Sequence, residues 1–246
     1  DKIVDRTMLP EILWSSEIAG AVTADAAAET GLAEGTPVLT GTIDAAAEAG
    51  SVGVASPNEM MIMYGSTIFI IMPTVSRVSD PRLWYAPWLF KGQHASMAGL
   101  VTSGTLTHWF RDRFAKELPR QTAFEILAEE AAASPPGSNG LVMLPYFSGE
   151  RTPIHDPFAK GTLLGLDLTH TRGDVYRAML EGIALGTGHV IETYRDAGAP
   201  PAKLFAVGGG TKNAVWSQTT SDVAGMPQVL RKISVGASFG TAFLAA

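Results

Sequence analysis

With 246 residues, 46% of them hydrophobic and 17% charged, the chain has the composition of an ordinary globular protein with a sizeable core. Its length suits one large domain, or one domain and part of another. A formal net charge of −6 and the lack of any basic run longer than two residues argue against a nucleic-acid surface. The absence of cysteine removes disulfide frameworks and thiolate chemistry, and it fits a reducing compartment.

The first residues are charged (Asp1, Lys2, Asp5, Arg6) with no apolar core behind them, so they do not read as a signal peptide. The most apolar stretch, 60–73, is broken by Gly65-Ser66-Thr67 and is too short to span a bilayer. The expectation is a soluble, cytoplasmic protein with no membrane or nucleic-acid partner. The chain opens without Met in what reads as mid-domain, so a piece of something larger is expected.

Residues 1–35 read as short alanine-rich helical segments punctuated by Gly20, Gly31 and Gly35, and 36–40 (TPVLT) as a strand. Asp44 then stands before AAAEAG, a strong helix former. An acid there has two meanings: an N-cap for that helix, or a general base at the C-terminal edge of a strand. The residues alone leave both open.

Two strands, MMIMY and IFIIM, follow within 58–73, joined by Gly65-Ser66-Thr67, a turn that is structural or presents N–H and O–H donors to a phosphate. The aromatic stretch 81–94 reads as a short strand pair turning near Lys91-Gly92. A long helix is expected over 99–117, with Leu100, Leu106, Trp109, Phe110 and Phe114 on one apolar stripe. Glycine in an early turn of that helix, at Ser103-Gly104-Thr105, suggests close approach of something. A second helix over 122–133 is closed by Ser134-Pro135-Pro136-Gly137, and 140–145 reads as a buried strand.

The polar loop 148–161, SGERTPIHDPFAKG, has the length of a functional or interfacial segment. The five histidines, at 94, 108, 155, 170 and 189, form no pair at ligand spacing, so no protein metal site is expected. The longest helix runs over 173–197 and ends at Gly198. After it comes KLFAVGGGTKNAVWSQTTSDVAG, 203–225: a buried strand, three glycines, and an amphipathic helix carrying Val215, Trp216, Thr219 and Val223. Such a turn lets a ligand touch backbone and meet the first helical N–H groups. The dinucleotide fingerprint fails here, because Asn213 takes the third glycine position and Leu230 and Arg231 stand where the ribose-binding acid belongs. The P-loop pattern is absent too. A strand at 228–230 and a last helix over 236–246 complete an α/β chain with a mixed sheet and flanking helices.

One stretch carries a family likeness. GTLLGLDLTHTRGDVYRAMLE, 161–181, has Gly161, Leu163, Gly165 and Leu166, then seven residues, then Asp174-Val175 and Ala178-Met179-Leu180-Glu181. It resembles the second signature of the FGGY carbohydrate kinases, a family that includes xylulokinases, ribulokinases, gluconokinases and glycerol kinases. GERTPIHDP upstream, and in order GTIDAAAEAG, YGST, SGTLTHW and VGGGTKNAVWSQTTSDVAG, are similar to further segments of that family.

The resemblance implies an actin-like ATPase (ribonuclease H-like) fold of two domains with the site in the cleft between them. Residues 1–55 would be the C-terminal end of the sugar-binding domain and 56–246 most of the nucleotide-binding one, the final helix cut short. It also implies ATP-dependent phosphorylation of a sugar or polyol, most like a pentulose such as xylulose or ribulose, with ATP and Mg²⁺. Asp44 matches the catalytic base. Gly65, Ser66 and Thr67 match the turn that meets the ATP phosphates. Gly104 and His108 match helix positions near the nucleotide, and Gly208, Gly209, Gly210 and Asn213 the adenosine-binding turn. The family usually places an amide after its base, whereas Ala45 follows Asp44 here, which weakens an assignment to glycerol. A non-catalytic nucleotide-binding or scaffold module on the same fold is the alternative. The chain alone is expected to be inactive and prone to self-association, a homodimer included, through an exposed inter-domain face.

Overall fold

Two adjacent apolar runs organise the molecule. In a computed structural model describing residues 5–232 and 235–246, these runs form central strands of a six-stranded sheet. The first four residues of the alanine-rich start lie outside the described residues, as do 233 and 234.

In chain order the elements are β1 (Ile18–Ala21), α1 (Ala24–Thr30), β2 (Pro37–Leu39), α2 (Asp44–Ser51), β3 (Glu59–Tyr64), β4 (Ile68–Thr74), β5 (Trp84–Pro87) and β6 (His94–Leu100). Then come α3 (Gly104–Phe114), α4 (Ala123–Ala133), β7 (Val142–Leu144), β8 (Thr162–Leu164) and α5 (Arg172–Asp196). The chain closes with β9 (Lys203–Val207), α6 (Ala214–Ala224), β10 (Gln228–Leu230) and α7 (Ala237–Ala245).

The main sheet has the order β10-β9-β3-β4-β6-β5. Strands β3, β4, β6 and β5 run antiparallel to their neighbours, while β9 and β10 return parallel to β3. Successive side chains of a strand face opposite sides. Met60, Ile62 and Tyr64 of β3 thus join Ile68, Ile70, Leu204 and Ala206 in a core roofed by α3, α4, α5 and α6. Met61, Ile71, Phe205 and Val207 point the other way, against Ala46 and Ala49 of α2 and Leu244 of α7. Helix α2 lies so close to α7 that a Cβ on Gly240 would run into the Ala47 carbonyl. Both faces being covered, the central strands read as continuous apolar runs.

Three expectations need correction. Residues 18–21 are a strand paired antiparallel with β2, not part of a helix. The helix placed at 99–117 starts at Gly104, because β6 runs through Leu100 along the whole of β4. Its stripe is only partly internal: Leu106 and Phe110 are buried, while Trp109 and Phe114 are exposed. In β7, Met143 alone points inward. Strands β1 and β2 bury none of their residues, and neither does α1. Among the described residues no helix is long and apolar enough to cross a membrane.

The longest helix, α5, is anchored at its start. Thr171 and Asp174 form a capping box, and the Asp174 carboxylate also accepts from the Ser134 hydroxyl at 2.6 Å and the Asn139 amide at 2.8 Å. Two turns later Glu181 accepts from the Gly137 N–H, the Ser138 hydroxyl and Arg177, so the 134–140 loop is fastened to α5. The Ser134 hydroxyl, then Thr171, hold Asp174 well below the usual carboxylate range. A depressed folded value means that its contribution is present above the unfolded range, near pH 4, and is lost as pH falls through the folded value. Asp174→Ala is therefore expected to lower stability by about 2–3 kcal/mol at neutral pH. In thermal unfolding, the gap to wild type should begin to narrow below about pH 4, as the unfolded state takes up the proton, and close further as pH falls toward the folded value.

Candidate functional site

Three glycines, one at the start of α3 and two in the β9–α6 turn, converge on the end of β3. A Cβ on Gly104 would run into the Gly65 carbonyl, one on Gly208 would lie 2.6 Å from the Tyr64 oxygen, and one on Gly210 would lie 2.9 Å from the Tyr64 Cβ. Any larger residue would push α3 or the β9–α6 turn away from the sheet. Gly208 also has φ +93°, a conformation glycine adopts freely. The sequence thus brings the β3–β4 hairpin, the start of α3 and the glycine turn together at the C-terminal edge of the parallel strands, where α/β proteins bind ligands.

Between them opens a cleft of about 600 Å³. Gly65, Ser66, Gly104, His108, Gly209, Gly210 and Asn213 all line it. Thr67 follows Ser66 in the hairpin but does not reach the lining, and Gly208 faces a second cleft of about 350 Å³ behind the turn. Gly209 and Lys212 form the ridge between the two. The larger cleft takes its apolar lining from Phe124 and Ala128 of α4, Tyr176 of α5 and Trp216 of α6, with Gln121 and Glu125 beside Phe124. Tyr64 packs edge-on against Trp216 at 5.1 Å and donates to Gln228 at 2.7 Å. Burial pushes the Tyr64 phenol up to about 12, so at neutral pH it is a neutral donor.

The hairpin side of the cleft is polar, and its geometry follows from how α3 begins. The N–H groups of Ser103, Gly104 and Thr105 are spent on the hairpin, on the carbonyls of Ser66, Gly65 and Ser66 in turn. The Ser103 and Thr105 hydroxyls donate to the same two carbonyls, at 3.0 and 2.5 Å. This helix terminus therefore has few free donors for an anion. The peptide is planar and trans, however, so turning the Gly65 and Ser66 carbonyls toward α3 turns the N–H groups of Ser66 and Thr67 away from it. Successive N–H groups in a turn make an anion-binding concavity. The start of α6 differs from expectation in the same way: a 3₁₀ turn, Gly209–Lys212, comes between strand and helix, and the Asn213 side chain caps α6 by accepting the Trp216 N–H. The Asn213 amide group remains free to donate.

Asp44 lines neither cleft. It is the first residue of α2 and is exposed, with Ile43 in the N-cap position. Its carboxylate accepts from the adjacent Ala45 N–H at 2.7 Å, so the capping role is not the one the structure shows. Glu48, one turn further along α2, lines the second cleft. The sequence reading missed the α4 wall and Lys212. Phe124 and Ala128 sit in an ordinary amphipathic pattern and carried no ligand signal. Lys212, inside the glycine turn, could have been noticed as a cation beside it.

A family model described as "FGGY family of carbohydrate kinases, C-terminal domain" matches residues 60–246. The chain belongs to the FGGY family of carbohydrate kinases. It is 31% identical over 245 residues to a xylulose kinase from Bacillus subtilis, covering 99% of this chain and 48% of the relative. It is 34% identical over 226 residues to a ribulokinase from Mycolicibacterium smegmatis, covering 86% of this chain and 39% of that protein. The crystal structure of xylulose kinase from Rhodospirillum rubrum superposes with a TM-score of 0.90 at 37% identity, over 98% of this chain and 49% of that one. The fold is the actin-like ATPase fold. The chain spans about half the length of the curated relatives it matches.

Within this FGGY domain, the signature residues Asp174 and Glu181 hold the 134–140 loop, while the glycines at β3 shape the cleft. Gly104→Ala should therefore separate α3 from the hairpin and lower stability by about 1–3 kcal/mol. Thermal unfolding measures the loss, and an unchanged midpoint would mean that the hairpin yields without strain.

Proposed function

We propose that the chain is the nucleotide-binding part of an ATP-dependent kinase for a sugar or polyol, most plausibly a pentulose such as xylulose or ribulose. One observation carries this reading: the hairpin, the start of α3 and the glycine turn line a single cleft of about 600 Å³, with apolar side chains for a purine and a polar hairpin for phosphates. The relatives named xylulose kinase and ribulokinase support the pentulose. Residues 1–55 serve as the end of the sugar-binding domain and 56–246 as the nucleotide-binding domain. The exposed faces of β1, α1 and β2, which bury nothing of their own, support that division.

In this reading adenine lies between Phe124 and Trp216, with Gly210 giving it access to backbone and Asn213 and His108 at its rim. The phosphates meet the N–H and hydroxyl groups of Ser66, with Thr67 next to it in the hairpin. Phosphoryl transfer rests on positioning and charge neutralisation more than on covalent catalysis. The sugar hydroxyl oxygen attacks the γ-phosphorus, the bond from phosphorus to the β,γ-bridging oxygen breaks, and ADP leaves. Asp44, at the entrance of α2, takes the hydroxyl proton as general base. Among the described residues no three His, Cys, Asp or Glu side chains converge as a metal cage, which fits Mg²⁺ carried on the phosphate oxygens and water. When bound there it neutralises phosphate charge.

The position of Asp44 outside both clefts also favours a second reading, a nucleotide-binding module that transfers nothing. Sugar-dependent ADP release by the intact protein decides between the two, with D-xylulose, D- and L-ribulose, gluconate, glycerol and erythritol as acceptors. A single strong responder is expected, a ketopentose. Asp44→Asn should then cut turnover by about 10²–10⁴-fold with nucleotide affinity unchanged. Full turnover in that variant would remove the base assignment, and silence across the panel with ADP binding intact would favour the module.

A further inference from the structure

Glu150 is a buried carboxylate that no step above uses, 3% exposed. One oxygen accepts two backbone N–H groups, from Val101 at 2.9 Å and Arg151 at 2.7 Å. The other oxygen is buried without a partner among the described residues. Burying a carboxylate on these terms is costly, and burial raises its pKa accordingly. A neutral side chain would fill the space at lower cost, so packing alone is a poor account of the group.

Its two acceptances have a direction. Val101 is the first residue after β6, and three residues later α3 begins. The loop that carries Glu150 is tied to the end of β6 twice more: the Thr152 N–H donates to the Gly99 carbonyl at 3.4 Å, and the Arg151 guanidinium donates to the Leu100 carbonyl at 3.5 Å. The loop is itself closed by the Glu150 N–H donating to the Asp156 carbonyl at 2.8 Å. What it fixes is therefore the short crossover from sheet to helix. The far end of that crossover, Ser103 to Thr105, makes all the bonds that turn the Gly65 and Ser66 carbonyls toward α3. Those carbonyls set the direction of the Ser66 and Thr67 N–H groups.

We infer that Glu150 is a positioning residue for phosphate binding: its carboxylate fixes the Val101-to-Thr105 crossover, and through it the Gly65-Ser66-Thr67 hairpin that meets the nucleotide phosphates. The inference rests on the nucleotide occupying the larger cleft. It makes a distinction that a merely structural role would not. Phe124, Tyr176 and Trp216 belong to α4, α5 and α6, and α3 meets the first two from His108 onward, past the crossover, so disturbing Glu150 should weaken the grip on phosphates more than the grip on the nucleoside.

The test titrates ADP and adenosine separately onto the full chain by calorimetry, for wild type, Glu150→Ala and Glu150→Gln. Glu150→Ala should raise the ADP Kd about tenfold while the adenosine Kd stays within about twofold. Glu150→Gln, which keeps an acceptor oxygen for the two N–H groups, should stay near wild type for both ligands. Should Glu150→Ala fail to fold, Glu150→Asp carries the same comparison, because it retracts the carboxylate by one methylene from Val101. Equal weakening of ADP and adenosine, or an unchanged ADP Kd, would overturn the inference while leaving the nucleotide site standing. Wild type that binds neither ligand would overturn the nucleotide reading, and this inference with it.

Discussion

The end of β3 is the constraint on which the rest depends. Tyr64 and Gly65 are approached by two backbone segments with no room for a side chain, the start of α3 at Gly104 and the glycine turn at Gly208 and Gly210. Close packing makes such a junction unforgiving, since a single added carbon must move an element rather than a rotamer. The same junction creates the cleft. With α3 and the glycine turn pressed against one strand end, the hairpin turns its donors outward, the glycine turn exposes its backbone, and a cleft opens between them. Stability and site geometry are set by the same contacts here.

The residues that identify the family and those that shape the cleft are largely different. Asp174 and Glu181 belong to the most specific sequence pattern, yet they fasten a loop to α5 with hydrogen bonds and do not line either cleft. Their contribution reaches the site indirectly. The loop they hold follows α4, whose Phe124 and Ala128 form the apolar wall. A buried charged group with four donors has little tolerance for substitution, which is why such residues make a recognisable pattern without doing chemistry.

Much of the fold was legible because its strands obey simple rules. The apolar runs of β3 and β4, the Lys91-Gly92 turn and the strand–glycine–helix order at β9 and α6 all stand where the pattern puts them. The boundary of α3 was not legible. HASMAGL is rich in residues that suit a helix, and only pairing with β4 over its full length makes it a strand. Gly99 belongs to that strand because a Cβ there would run into the Ile68 carbonyl. The exposed Trp109 and Phe114 completed a false apolar stripe. In the site, the glycines and Asn213 could be read from sequence because ligand access demands unusual residue types. Phe124 and Ala128 could not, since a helix wall facing a cleft uses the same residues as one facing the core. Asp44 had two meanings in sequence; the structure removes the capping one by placing Ile43 at the N-cap, and it leaves the carboxylate exposed at the start of α2.

The central claim is that one cleft, bounded by the hairpin, the start of α3 and the glycine turn, holds a nucleotide in a fixed orientation. A crystal structure of the chain with ADP tests it most directly. The expected result is adenine between Phe124 and Trp216, ribose against Gly209-Gly210, and the diphosphate at the Ser66 end of the hairpin. ADP seated in the smaller cleft beside Glu48 and Arg231, or lying in the larger one with its phosphates toward α4, would contradict it.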